Sequence, residues 1–266
     1  MVNNQGIDRS LRILFLGSGT STGVPMIGCE CDTCRSDDPK DSRLRSSILF
    51  SWYDGVEKRN ILVDTATDLR EQSLANSLCQ IDAVLFTHPH ADHIHGIDEL
   101  RSFNFIQKSI IPCYGSEYTL SRIRKMFDYI FDDSKSGSVK PKLELTPIEN
   151  SFELFGKTVI TLPAWHGSME VFGYRIGDVA YLTDCNRIPE ETLAKLKGLK
   201  VLIIGAIRIE SHATHMTIEE ALEIAETVSA EKTYLTHLNH NVKHADLSAK
   251  LPTNNFLAYD RLELSV

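Results

Sequence analysis

One stretch best indicates the fold of this chain: Thr87-His88-Pro89-His90-Ala91-Asp92-His93, which places three imidazoles and a carboxylate within six positions. It directly follows residues 81–86, a short apolar run that predicts a buried strand. In an extended segment His88 and His90 point the same way, and Asp92 and His93 follow where the chain turns. Imidazoles and carboxylates are ligands of transition metals. The stretch therefore predicts a metal site at the end of a strand.

Three further candidate ligands follow apolar, strand-like runs elsewhere in the chain. They are His166, Asp184 and His237. A single histidine after a strand is more often a structural residue than a ligand. A site for two metal ions, however, needs more ligands than one loop offers. We therefore expect these three side chains to complete the site that residues 88–93 begin.

A second metal site is indicated by Cys29-Glu30-Cys31-Asp32-Thr33-Cys34, which has three thiols in six residues. These spacings let the sulfur atoms converge on a tetrahedral zinc ion, which needs one more ligand. His240, three residues after His237, is the candidate fourth ligand. The alternative is three reduced thiols without a metal, although exposed reactive thiols are a liability that a metal removes.

Length and composition are those of an ordinary globular protein, with 266 residues, 42% hydrophobic and 24% charged. The net charge of −8 argues against nonspecific binding of nucleic acid, but not against a small phosphorylated substrate at a metal site. No apolar run reaches the length of a membrane span, and residues 1–6 lack the features of a secretory signal. Three scattered cysteines do not suggest a disulfide framework. These features predict a cytoplasmic protein.

Hydrophobic periodicity predicts many strands with helices interspersed in each half of the chain. The predicted strands cover residues 11–17, 46–52, 60–63, 81–86, 110–114, 142–145, 151–155, 158–162, 172–176, 179–182, 200–204 and 233–235, with one terminal strand near 256–264. The predicted helices cover 68–78, 117–127, 190–196 and 217–228, and residues 132–141 are predicted to form a loop or lid. This pattern predicts a single α/β domain over residues 1–266, with two sheets face to face and helices outside, as a four-layer αββα sandwich.

The order HxHxDH, then His, Asp and His, resembles the metallo-β-lactamase superfamily of dinuclear hydrolases across essentially the whole chain. The resemblance implies an αββα fold with two metal ions, Zn²⁺ or Mn²⁺, at one end of the two sheets. Carried over residue by residue, it implies one metal held by His88, His90 and His166, a second held by Asp92, His93 and His237, and Asp184 bridging both.

Within that superfamily the chain resembles the PhnP-like branch, of the phosphoribosyl 1,2-cyclic phosphate phosphodiesterase type. The likeness rests on the cysteine motif at 29–34, on His215 before a helix, and on His237-x-x-His240. It implies hydrolysis of a small phosphodiester, a structural zinc in the loop 29–34, and His215 as a proton donor paired with Asp92. His212 is the competing candidate for the proton donor. Family analogy also allows a homodimer.

Three other functions remain as alternatives. A tRNase Z-like nuclease needs a basic surface and an RNA-gripping arm, and the net charge and the lack of a long basic insertion count against both. A thioesterase or lactonase would use the same metals without a proton-donating His215. A non-catalytic metal-binding module is disfavoured by the complete ligand set.

Several other residues carry weaker signals. Asp64 ends a predicted strand and is a candidate to orient a ligand imidazole. Arg43 and Arg45 either reach a substrate phosphate or form a basic turn before a strand. His244 is expected at the surface, and Cys185 is expected in the core because it faces away from Asp184 in an extended segment.

Overall fold

The computed structural model describes residues 10–132 and 139–266, so the centre of the predicted loop 132–141 lies outside the described residues. The chain forms two seven-stranded sheets. The first contains β1 (Arg12–Gly17), β2 (Ser47–Tyr53), β3 (Lys58–Val63), β4 (Ala83–Leu85), β5 (Ile111–Gly115), β6 (Leu143–Pro147) and β14 (Glu263–Ser265). The second contains β7 (Ser151–Leu154), β8 (Lys157–His166), β9 (Met169–Ile176), β10 (Val179–Leu182), β11 (Val201–Gly205), β12 (Lys232–Thr236) and β13 (Asn255–Leu257).

The helices are short and connect the strands along the outside of the sheets. They are α1 (Leu69–Ala75), α2 (Ala91–Ile94), α3 (Leu100–Gln107), α4 (Glu117–Met126), α5 (Asp128–Phe131), α6 (Glu190–Lys195), α7 (Ile218–Val228) and α8 (His244–Ser248), with 3₁₀ turns at Pro39–Asp41 and His95–Glu99. The predicted capping box of α7 is present, since Thr217 accepts from the Glu220 N–H and Glu220 accepts from the Thr217 N–H. No helix in the described ranges has the length and apolar character needed to cross a bilayer.

Three buried apolar clusters define four layers. One cluster lies between the sheets and includes Phe15, Phe50 and Tyr174. A second packs the outer face of the first sheet against the helices that follow it, and a third does the same for the second sheet and α7. Because each sheet buries both faces, central strands such as β2, β4, β10 and β11 are buried along almost their whole length. The predicted αββα sandwich is confirmed.

The topology places several strand ends at one edge of the sandwich. Strands β3 to β6 are mutually parallel in the first sheet, and β10 to β13 are mutually parallel in the second. Strand β8 runs in the same direction as β10, because both are antiparallel to β9. Carboxyl ends of parallel strands meet at the same edge of a sheet, which is where α/β proteins carry their ligands.

The predicted terminal strand is wrong, because the chain divides it between the two sheets. Strand β13 pairs with β12 in the second sheet, whereas β14 pairs with β1 in the first. The turn between them includes Arg261 in a left-handed conformation, with φ 70°. Its Asp260 carboxylate accepts the backbone N–H groups of Ser18 and Leu44 at 2.9 and 2.7 Å. Apolar content does not reveal this change of sheet, since the partners of each half are distant in sequence.

Two residues expected near solvent are buried. Arg43 is 1% exposed, and its guanidinium donates to the carbonyl oxygens of Asn239 and Val242 at 2.9 and 2.8 Å and pairs with Asp41 at 3.1 Å. Of the two alternatives for Arg43, contact with a substrate phosphate is therefore wrong, because its guanidinium already binds these partners. His244, which was expected at the surface, is also buried, at 7% exposed, and its backbone N–H donates to Asp41 at 2.7 Å. Both residues fix the backbone that follows His237.

Candidate metal centre

The structure brings the seven predicted ligands together at one edge of the sandwich. Residues 88–93 follow β4, Asp184 follows β10, His237 follows β12, and His166 is the last residue of β8. The prediction placed His166 just after a shorter strand, but β8 continues through Pro163 to His166. Asp184 and His237 have left-handed backbones, with φ 52° and 60°. Such conformations are uncommon outside glycine and cluster at functional sites.

Asp184 lies at the centre of this group and is 2% exposed. Its Oδ1 is 3.0 Å from His237 Nδ1, whereas its Oδ2 is 3.5 Å from His93 Nε2 and 3.8 Å from His88 Nε2. The Thr183 hydroxyl donates to Oδ1 at 2.6 Å and fixes the carboxylate. Burial opposes ionisation of Asp184, but the neighbouring histidines outweigh burial and hold its pKa well below the usual value. The two oxygens thus face different ligands.

His88, His90 and His166 form one side of the group. The Nε2 atom of His88 is 3.0 Å from Nδ1 of His90, and the His166 ring centroid lies 5.0 Å from that of His90 and 5.7 Å from that of His88. The Thr214 carbonyl is 2.8 Å from His166 Nδ1 and fixes that ring. Burial lowers the pKa of all three imidazoles, which favours the neutral form that binds metals.

Asp92 and His93 form the other side, together with His237 and Asp184. One ligand atom from each of these four residues lies within 4.8 Å of the others. Asp92 Oδ2 and His93 Nε2 are buried and have no hydrogen-bond partner in the part of the chain that the structure describes. Burial lowers the pKa of His93, but the carboxylates of Asp184, Asp92 and Asp64 outweigh it and raise the pKa well above its usual value. A positive charge is therefore favoured at this point, as a metal ion would supply.

Asp64 holds the His93 ring in place on the side away from the cluster. Its Oδ2 is 2.7 Å from His93 Nδ1, and it also accepts the N–H and hydroxyl of Thr87 at 2.8 Å each. Asp64 itself has a left-handed backbone after β3, with φ 64°. The contact orients the His93 ring so that Nε2 faces the cluster, as the sequence predicted.

Replacing Asp64 with asparagine should weaken metal binding or kcat/KM by about 10- to 100-fold, because His93 loses the carboxylate that orients its ring. Metal titration and steady-state kinetics measure this effect. Asp178→Asn is the matched control, because that carboxylate is 46% exposed and pairs with Lys200, away from the metal ligands. Equal metal affinity in the two variants would contradict the orienting role.

His237 is held by a loop that sequence reasoning did not assign to the site. Thr20 Oγ1 is 3.2 Å from His237 Nε2, and the Thr20 N–H donates to the Leu238 carbonyl at 3.1 Å. The loop passes so close to its neighbours that a Cβ atom on Gly19 would lie 2.8 Å from Arg43 Cβ. The glycines after β1 were the available signal, since glycine permits such close approach.

The two proton-donor candidates differ in position. His215 Nδ1 is 3.9 Å from Asp184 Oδ2, and its ring lies 4.5 Å from that of His166. The His212 ring lies next to that of His215, with the two ring centroids 4.9 Å apart. The Thr214 N–H donates to its Nδ1. The predicted pairing of His215 with Asp92 is not found among the described contacts. His215 comes from the segment after β11 and meets Asp184, whereas Asp92 turns toward His93 at 3.3 Å.

His215 also has the geometry of a ligand. One atom from each of His166, Asp184 and His215 lies within 4.8 Å of the others. Burial lowers the pKa of His215. The nearby Asp184 carboxylate raises it by less, so the pKa is about 3. An anionic substrate beside the ring would raise that pKa, because it stabilises the imidazolium.

The cysteine loop forms a second cluster beside the first. The sulfur atoms of Cys29 and Cys31 lie 3.2 and 3.4 Å from His240 Nδ1, and all four predicted ligands have donor atoms within 4.8 Å of one another. Ligands of a tetrahedral zinc ion are about 3.5 Å apart, given bonds of about 2.0–2.3 Å. The Cys34 N–H and His240 lower the pKa of Cys31 to about 6, whereas burial raises the pKa of Cys34 to about 11. The donor set fits zinc, which would ionise the remaining thiols.

Replacing Cys31 with serine should remove one tightly held zinc ion that otherwise survives chelation of the catalytic metals. We expect the free energy of unfolding to fall by about 4 kcal/mol, the linkage value for a ligand at about 1,000 times its dissociation constant. Metal analysis and denaturant titration measure both effects. Cys79→Ser, an exposed thiol outside the cluster, is the control. Retained zinc in Cys31→Ser would show that the cluster is not a metal site.

The sequence of this chain matches a known protein family. Residues 59–238 match the family described as a beta-lactamase superfamily domain. The chain belongs to this superfamily. All seven predicted catalytic ligands lie within the matched residues, whereas the cysteine loop and His240 lie outside them.

Two solved structures show which branch of the superfamily this chain is similar to. A crystal structure of a diphosphatase from the PhnP family is 40% identical, with a TM-score of 0.88 over 96% of this chain and 98% of that chain. Zn²⁺-bound PqqB from Methylobacterium extorquens, at 22% identity and a TM-score of 0.75 over 96% and 100% of the two chains, shares the fold. The chain is therefore a PhnP-like member of the metallo-β-lactamase superfamily, and a hydrolase-type enzyme.

A curated relative from Porphyromonas gingivalis is named octanoyltransferase. It is 35% identical over 257 residues, which is 95% of this chain. The chain spans about half the length of that relative, 51%. The name describes a protein about twice as long as the matched part.

Proposed function

We propose that this hydrolase cleaves a small phosphodiester, cyclic or linear, with two divalent metal ions, Zn²⁺ or Mn²⁺. The observation that carries the proposal is the position of Asp184. One of its oxygens faces His237 and the other faces His88 and His93, at 3.0–3.8 Å. The carboxylate therefore lies beside His88 of one proposed ligand set and beside His93 and His237 of the other, a position that suits a bridge between two metal ions.

The remaining ligands divide on either side of that bridge. His88, His90 and His166 would hold one ion, and Asp92, His93 and His237 would hold the other. The buried Nε2 of His93 and Oδ2 of Asp92 lie 3.3 Å apart, and neither has a hydrogen-bond partner among the described residues, which supports the second set. The histidine and carboxylate donors fit Zn²⁺ or Mn²⁺, and His240 with the three cysteines fits a separate structural zinc.

When bound, two such ions make hydroxide available from water at neutral pH and offset negative charge on phosphoryl oxygens. The residues of this chain perform the other tasks. Asp64 and the Thr214 carbonyl hold the rings of His93 and His166 in place. His215, at the edge of the cluster, would donate a proton to the leaving oxygen through an imidazolium that the anionic substrate stabilises.

A second candidate is hydrolysis of the P–O–P bond of a small diphosphate. The observation that favours it is the PhnP-family diphosphatase, which is 40% identical over nearly the whole chain. The same ligands would serve, since a diphosphate also presents anionic phosphoryl oxygens and an oxygen leaving group.

We also propose a cytoplasmic setting, because the three thiols of the cysteine loop need reducing conditions to remain metal ligands. The expected partner is a small phosphorylated molecule rather than nucleic acid, given the net charge of −8. A homodimer is proposed by family analogy, and its test is the mass of the metal-loaded protein in solution.

A substrate panel tests the proposal directly. The metal-loaded enzyme is given a chromogenic phosphodiester, a ribose cyclic phosphate, a nucleoside diphosphate, a precursor tRNA, a lactone and an octanoyl thioester. We expect the largest kcat/KM with a small phosphodiester. Preference for the nucleoside diphosphate would establish the second candidate, and preference for the thioester, lactone or tRNA would overturn both.

A further inference from the structure

A small cavity lies on the side of the sandwich where β13 and the turn before β14 face each other. Its volume is about 310 Å³, and it is also bounded by α8 and the 3₁₀ turn Pro39–Asp41. None of the residues that line it belongs to the metal clusters described above. This volume is at the lower end of the range of about 300–1,000 Å³ for small-molecule sites, so only a small ligand fits.

One wall of the cavity is aromatic and continuous with the core. The rings of Tyr234 and Phe256 stack with centroids 5.2 Å apart, and Tyr234 also contacts Phe15 of the other sheet. Tyr234 is 8% exposed, whereas Phe256 is 40% exposed. An apolar surface between the sheets is thus reachable from solvent, and it suits the body of an apolar ligand.

The cavity is also lined by two nitrogen groups, both beside Tyr259. The Lys40 ammonium lies 4.6 Å from the centre of the Tyr259 ring and forms no ion pair with any described residue. His244 packs its ring against the same tyrosine, and its buried Nδ1 has no hydrogen-bond partner in the described ranges. Asp41 Oδ1 accepts the backbone N–H of His244 and pairs with Arg43. Asp41 Oδ2 has no hydrogen-bond partner among the described residues, and no ion pair joins that carboxylate to Lys40 there.

Buried polar groups are nearly always hydrogen-bonded, so the free Nδ1 of His244 needs a partner. A neutral imidazole can donate one N–H, and an ammonium supplies further donors and a positive charge. A single carboxylate head between them would accept a hydrogen bond from each group, and an apolar body would pack on the aromatic wall. We propose that this cavity binds a small monocarboxylate, with its head held by Lys40 and His244 and its body on Tyr234 and Phe256. The site goes beyond the proposed hydrolysis and does not depend on it.

Binding is tested on the full metal-loaded chain by two-dimensional NMR titration with benzoate and octanoate. Benzamide, which has the shape of benzoate without its charge, is the control ligand. We expect saturable shifts for a carboxylate at residues around the cavity, and binding at least about 10-fold weaker for benzamide, because a charge-assisted hydrogen bond is lost. Absence of saturable binding up to about 10 mM, or equal affinity for benzamide, would overturn the proposal.

Variants separate this cavity from the catalytic metals, which also attract carboxylates. Lys40→Met removes the charge and keeps the aliphatic stem, and Ser248→Trp blocks the cavity from an exposed position on α8. Lys197→Met, an exposed lysine elsewhere, is the matched control. Both cavity variants should weaken binding about 10-fold or more, and the control should not. Unchanged binding in both, with shifts centred on His237, would assign the ligand to the metal centre and contradict the proposal.

Discussion

Asp184→Asn should lower kcat/KM by at least about 10³-fold and reduce the number of tightly bound catalytic metals from two to one or none. Removing a single preorganised group that stabilises charge in a transition state costs about 10²–10³-fold in enzymes. Asp184 would contribute more than one such interaction, because its two oxygens face the ligands of both proposed ions. The substitution also removes the negative charge that holds two cations close together.

The experiment pairs metal analysis with kinetics, since the two readouts should change together. Asp178→Asn, a surface carboxylate, is the control for a general effect of losing one charge. Thermal unfolding checks that the buried amide is tolerated. Full activity with two metals retained in Asp184→Asn would refute the bridging role.

His215→Gln should slow turnover by about 10²–10⁴-fold, the usual contribution of a general acid, while leaving the metal content intact. The loss should depend on the leaving group. An alkoxide needs a proton as it departs, whereas a nitrophenolate does not, so the variant should be far less impaired with a nitrophenyl diester. A purely structural role for His215 would lower both rates equally.

His212→Gln is the matched variant for this prediction, since His212 lies beside His215 but has no described contact with Asp184. We expect only a small effect. A larger loss in His212→Gln than in His215→Gln would make His212 the proton donor. Loss of metal from His215→Gln would instead make His215 a ligand, a role that its distance to Asp184 permits.

The fold and the ligand set follow from local patterns in the sequence. Apolar runs that end in His or Asp marked β4, β8, β10 and β12, and parallel strand order then placed their ends together. The helix α7 was predicted from its periodicity and its capping box at Thr217 and Glu220. These features are visible because each depends on residues that are neighbours in sequence.

Features that depend on distant partners were not predicted. The helices α2, α3, α5 and α8 were missed. Helices α2 and α5 have four residues each and α8 has five, too few to show a helical period. The burial of Arg43 depends on carbonyls almost 200 positions away, at Asn239 and Val242. The contact of Thr20 with His237 depends in the same way on how β1 and β12 are placed.

Anomalous X-ray diffraction from crystals of the metal-loaded protein tests the central claim most directly. We expect two strong peaks about 3.5–4 Å apart, the separation typical of two-metal sites, with Asp184 between them. A third, separate zinc peak should lie among the three cysteines and His240. A single peak, or none, among His88, His93, His166 and His237 would contradict the dinuclear centre.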